Sequence, residues 1–201
     1  MNQNAPCMRL AATSDTANQY ALGNRANTIR YVDFSTHAVV FLGSNDIYNI
    51  SHTALQTETD LINGVYIPLW KQGKNIIACT LLPRNTSTDS WATLINQTVG
   101  SQESQRLAFN QWIRAGLPVN SSTLQPVAVG TSGALLSGQV GHPVSSWIDT
   151  AAQLDSTGSS DSGKWIVNGT ANYATTDGMH PTPTASQILS GALSPLVVAA
   201  S

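Results

Sequence analysis

Three short runs of the chain are apolar at nearly every position and close on a turn residue: HAVVFLG (37–43), NIIACTLL (75–82) and LQPVAVG (124–130). A strand covered on both faces needs a continuous apolar run rather than an alternation, so these runs predict strands of a parallel sheet. Elsewhere the period changes. TALQTETDLINGVYIPLWKQG (53–73) places Leu55, Leu61, Ile62, Val65 and Leu69 at helical spacing, with Pro68 expected to kink that helix or mark its last turn. SQESQRLAFNQWIRAG (101–116) predicts a helix capped by Ser101, with Leu107, Trp112 and Ile113 on one side and a stop at Gly116 and Pro118. PVSSWIDTAAQLD (143–155) and TPTASQILSGALSPLVV (182–198) read as two more helices.

Strand and helix thus alternate along the whole length, which predicts one α/β domain over residues 1–201. Its expected architecture is a doubly wound, mostly parallel sheet with helices on both faces. In such sheets the chemistry gathers on loops beyond the carboxyl ends of the strands, where Gly43 to Asn49 falls. The polar segments 83–100 and 131–141, rich in Gly, Ser and Thr, are expected as loops on the same rim.

Composition narrows the partners. Charged residues make up 10% of the chain, against roughly 25% in an ordinary soluble domain. The formal charge is -2 and no Lys/Arg cluster occurs, which argues against nucleic acid as a partner. No apolar run reaches the length of a membrane span, and the first residues lack the basic leader and apolar stretch of a signal peptide. The composition is compatible with a secreted or cell-envelope setting, and localisation stays open. Cys79, inside an apolar run, reads as a small buried hydrophobe, whereas Cys7 says little. No cofactor is expected, and no second His stands at ligand spacing from His180 to make a metal pair.

Two loops carry candidate chemistry. In GSNDIYN (43–49), Gly43 permits a sharp turn and Asn45 then projects an amide that can donate to a developing oxyanion. The alternative is an Asn-Asp turn closing a strand-to-helix connection. In TTDGMHPTP (175–183), Asp177 stands three residues before His180, across a Gly. A carboxylate there can accept from Nδ1 and leave Nε2 as the working base. An Asp-Gly turn with an incidental surface His is the other reading.

Taken together, VVFLGSNDIYN and the later TTDGMHPTPTASQ resemble blocks III and V of the SGNH (GDSL-type) hydrolases. IIACTLLPR and QRLAFNQWIRAG, lying between them, are similar to that family's fourth strand and following helix, so the resemblance covers about residues 10–198. It implies a flavodoxin-like fold and a serine esterase, such as a lipase or carbohydrate deacetylase, acting on a small-molecule or glycan acyl ester. It also implies Asn45 as an oxyanion donor, Asp177 as the orienting acid and His180 as the base.

The family's Gly-Asp-Ser is absent from this chain. Ser14 is not its replacement, because only one strand-helix-strand crossover fits between Ser14 and Gly43. MRLAATSDTANQY (8–20) is instead similar to the second strand and block II, where Thr13 and Ser14 stand in place of a Gly whose N–H serves the oxyanion. Ser14 also suits the cap of a helix at about 16–32. The nucleophile is therefore unassigned and the family's first strand is expected to be missing, so the chain is expected to be weakly active or inactive. Three accounts of that strand's central place in a 2-1-3-4-5 sheet stay open: this chain is a fragment of a longer native product, another chain (a homo-oligomer included) supplies the strand, or the neighbouring strands close the gap in a rearranged sheet. The alternative function is a non-catalytic carbohydrate-binding or structural module, with Trp91, Trp147, Trp165 and Tyr173 available to stack on sugars.

Overall fold

A computed structural model describes residues 36–156 and 162–199. Its centre is a three-stranded parallel sheet of β1 (His37–Val40), β2 (Asn75–Cys79) and β5 (Ser146–Ile148), with β2 in the middle. Val39 stands opposite Ile77, and Ile77 opposite Ser146. A two-stranded antiparallel hairpin, β3 (Asn85–Ser87) and β4 (Gln97–Val99), rises from the chain after β2. The helices are α1 (Ser44–Asn49), α2 (Ala54–Leu61), α3 (Ile67–Lys71), α4 (Glu103–Arg114), α5 (Thr150–Leu154) and α6 (Pro183–Ala199). The described residues thus form a mixed α/β structure around a small parallel sheet.

The strand period of two sorts β2 between two cores. Ile76 and Ala78 join the larger one with Ile47, Phe109, Trp112 and Ile113, while Ile77 and Cys79 face the other side with Ile148 and Ala192. Cys79 is indeed a buried free thiol, pushed up to about 12 by burial. Full burial of each large apolar side chain is worth about 1.5–3 kcal/mol, and these two layers hold the helices against the sheet.

Polar groups fix the carboxyl end of β2, from which the site is built. Leu81 donates its N–H to Asn110 Oδ1 at 2.7 Å, and its carbonyl accepts from Asn110 Nδ2 at 2.9 Å and Arg106 Nη1 at 2.8 Å. The wholly buried Arg106 also donates through Nε to Glu103 at 2.8 Å, and its Nη2 lies 3.7 Å from Asp155. Helix α4 is thereby pinned to the strand end.

Several elements differ from the sequence expectation, each for a physical reason. Residues 124–130 are not a strand. Leu124 takes φ +57° and Pro126, which has no N–H to give a ladder, makes only an isolated bridge to Val119. The third strand comes instead from Ser146–Ile148, inside the stretch expected to be a helix from 143. Ser145 donates its N–H to Ile76 O at 2.9 Å and its Oγ accepts from Ile76 N at 3.2 Å, which draws the segment onto the sheet. The helix starts only after Asp149, whose carboxylate accepts from Ala152 N–H at 3.1 Å.

The helix expected at 53–73 does run from a Thr53–Gln56 capping box, but through a π-helical turn, Ile62–Tyr66. Pro68 then falls, as expected, in the last turn of this continuous run, within the five-residue α3, near whose start the missing N–H is tolerated. Ser101 is not the cap of α4, which begins one residue later, after Gln102, without a side-chain cap. Segment 83–100 contains the β3–β4 hairpin and is not loop throughout. Among the described residues β1 pairs only with β2, and Val39 and Phe41 are 45% and 41% exposed. The expectations for residues 8–20, including Thr13 and Ser14, lie outside the described residues, as do Cys7 and the helix at 16–32.

Candidate active site

Inside the Asp177–His180 turn, the acid itself makes three of the bonds. Asp177 Oδ1 accepts from the backbone N–H groups of Met179 and His180, both at 2.8 Å, and Oδ2 meets His180 Nδ1 at 2.6 Å. Thr175 Oγ1 accepts from Gly178 N–H at 2.9 Å and closes the turn from below. Although desolvation pushes the Asp177 carboxyl up, the bonds from the His180 ring and the two N–H groups outweigh it and hold the acid down at about 2. Asp177 is therefore an anion, which can only accept, so Nδ1 carries the proton and Nε2 is the basic nitrogen. The His180 side chain is 56% exposed, and Nε2 has no hydrogen-bond partner among the described residues.

Gly178 fastens this turn to the hairpin. Its carbonyl accepts from Asn85 N–H and from Trp165 Nε1, each at 3.1 Å. Its Cα lies so close to the Asn85 carbonyl that an added Cβ would stand 1.9 Å from that oxygen, and its φ is +74°. Only glycine fits both demands. Asn85 is itself fixed, donating through Nδ2 to Gln97 at 2.8 Å and to Gly163 O at 2.9 Å, and accepting from Trp91 Nε1 at 2.7 Å.

Asn45 sits not in an open turn but in the first turn of α1, after Gly43 at φ +113°. An added Cβ at Gly43 would stand 2.9 Å from the Thr57 methyl, so this position too is closed to larger residues. Asn45 and Asn49, four residues apart, share a helix face, and Arg84 lies across it. Arg84 Nη2 donates to Asn49 Oδ1 at 2.7 Å, Asn49 Nδ2 to Asn45 Oδ1 at 3.3 Å, and Arg84 Nη1 reaches Asn45 Oδ1 at 3.5 Å. The Asn45 Nδ2 group has no partner among the described residues and is exposed.

Asp177 and His180 are thus in direct contact, while Asn45 is hydrogen-bonded to neither. The two loops meet through adjacent residues of one segment: Arg84 holds the Asn45 face by its side chain, and Asn85 holds the His180 turn by its backbone. Ser14 lies outside the described residues. Arg84, Asn49 and Asn85 were not singled out from the sequence. The helical i, i+4 spacing of Asn45 and Asn49 was the one signal on offer.

Among the described residues no group of three or more His, Cys, Asp or Glu side chains is placed to hold a metal ion. No helix among them is long and apolar enough to cross a membrane. The rings considered for sugar stacking are engaged in packing. Trp165 is fully buried, Trp91 and Tyr173 pack on the same small core, and Trp147 packs on the larger one. Comparison with family models, with curated proteins and with solved structures finds no match to this chain.

Proposed function

We propose that this chain is an ester hydrolase of the SGNH (GDSL-type) class, with β1, β2 and β5 corresponding to the third, fourth and fifth strands of a flavodoxin-like, doubly wound sheet. His180 Nε2 takes the proton from a hydroxyl as it attacks the acyl carbonyl of a small-molecule or glycan ester, and returns it to the departing alcohol. Asp177 holds the ring and stabilises the imidazolium. The Asn45 Nδ2 group, with a backbone N–H at residues 13–14, holds the tetrahedral oxyanion. The nucleophile is left unassigned. The observation that carries the reading is the 2.6 Å Asp177–His180 contact, which leaves Nε2 without a hydrogen-bond partner among the described residues.

An aryl acetate tests this directly, because an activated ester reacts with an imidazole or an imidazole-activated water even when no serine is present. Slow saturable turnover is expected from the chain. His180→Ala abolishes it, Asn45→Ala lowers it by about 10²–10³, and Ser14→Ala leaves it unchanged because the backbone N–H remains. Turnover indifferent to both His180→Ala and Asn45→Ala, or no turnover at all, would overturn the proposal.

A further inference from the structure

Resting on that reading of Asn45, we infer that Arg84 is a positioning residue that sets which way the Asn45 amide faces, acting through Asn49. An Asn side chain can present either its oxygen or its NH2 group, and only the NH2 can stabilise an oxyanion. Arg84 removes the choice. A guanidinium can only donate, so the Asn49 atom it meets at 2.7 Å is Oδ1. Asn49 Nδ2 is then turned toward Asn45, at 3.3 Å, and can only donate as well. With Arg84 Nη1 at 3.5 Å on the same atom, two donors converge on Asn45 Oδ1. The reversed amide would set NH2 against both. Asn45 Nδ2 is therefore directed away from the helix face, where it has no partner among the described residues.

Arg84 is well placed to enforce this. Its guanidinium lies 5.0 Å from the centroid of the Tyr48 ring, and Tyr48 OH is anchored to Glu103 at 3.0 Å. Its carbonyl accepts from Gly100 N–H at 3.2 Å, at a close approach where a Cβ on Gly100 would stand 2.7 Å away. The residue is thus fixed at both ends, half-buried, and spans from the hairpin to α1.

The test uses the whole chain with Asn side chains labelled with ¹⁵N, titrated with acetate as a mimic of the acyl product. The unaltered chain should show a saturable shift of the Asn45 Nδ2H2 signal. Arg84→Met and Asn49→Leu should each weaken that response about tenfold or more, equivalent to about 1.4 kcal/mol, with unchanged far-ultraviolet circular dichroism. The Asn49 variant keeps the Arg84 charge. If Arg84→Met abolishes the response and Asn49→Leu does not, Arg84 is a direct anion contact and the positioning role falls. If both variants respond as the unaltered chain does, it falls likewise. No response at Asn45 in the unaltered chain would sink the oxyanion role of Asn45 itself and this inference with it.

Discussion

Replacing Gly178 by alanine asks how the His180 turn is joined to the rest of the site. The new Cβ would stand 1.9 Å from Asn85 O and 2.8 Å from a Trp91 ring carbon, so the turn and the hairpin must part by more than 1 Å to bring the first contact even to 3.0 Å. Holding alanine at φ +74° costs about 1–2 kcal/mol. Parting the segments also breaks the bonds from Asn85 N–H and Trp165 Nε1 to the Gly178 carbonyl. Trp165 is buried, and a buried donor left unsatisfied costs about 1–3 kcal/mol. The two costs come to about 2–5 kcal/mol, or a fall in Tm of about 4–20 °C for a chain of this size. Urea unfolding gives the stability change and aryl acetate turnover gives the effect on chemistry, which should fall even where the variant is fully folded. A variant within about 0.5 kcal/mol of the unaltered chain, with normal turnover, would refute the claim that this contact joins the two loops.

Three further outcomes are expected. Arg106→Met should cost about 3–5 kcal/mol in urea unfolding, since it strips the buried Asp155 and the Leu81 carbonyl of a cation; a loss under 1 kcal/mol would show that the Asn110 bonds alone hold the strand end. Burial raises the Glu58 carboxyl to about 7 from its usual 4.5, so the folded state binds the extra proton between those values and the stability it confers is lost as pH rises through them, by about 3 kcal/mol in all. Glu58→Gln should flatten that slope and be the more stable form at pH 8, whereas identical slopes in the two proteins would remove Glu58 as the cause. Asp177→Asn should cut aryl acetate turnover at least tenfold by weakening the hold on the His180 tautomer, and unchanged turnover would mean that the acid does not orient the base.

What the sequence disclosed follows the range of the forces involved. β2 was legible because its burial on both faces writes itself into the consecutive residues Ile76, Ile77 and Ala78, and β1 was legible from its apolar run although Val39 is left exposed. β5 was not. Only three residues long, it owes its extended form to Ile76, almost seventy residues away, and its neighbours favour a helix. The apolar run 124–130 misled for the opposite reason: Pro126 denies it a ladder, and Val129 is left exposed. At the site, the Asp177–His180 pairing is local, three residues across a glycine, and was readable. The Arg84–Asn49 contact joins residues 35 apart through a hairpin that the sequence presents only as a polar stretch.

The central claim is that the Asn45 amide and the His180 ring face one acyl carbonyl. Methylphosphonate carries the tetrahedral oxyanion shape, and its titration can be followed at both side chains by ¹⁵N resonance. The account predicts that Asn45 Nδ2 and His180 Nε2 respond together, with one shared Kd. Responses at a single residue, or at both with unrelated affinities, would contradict it.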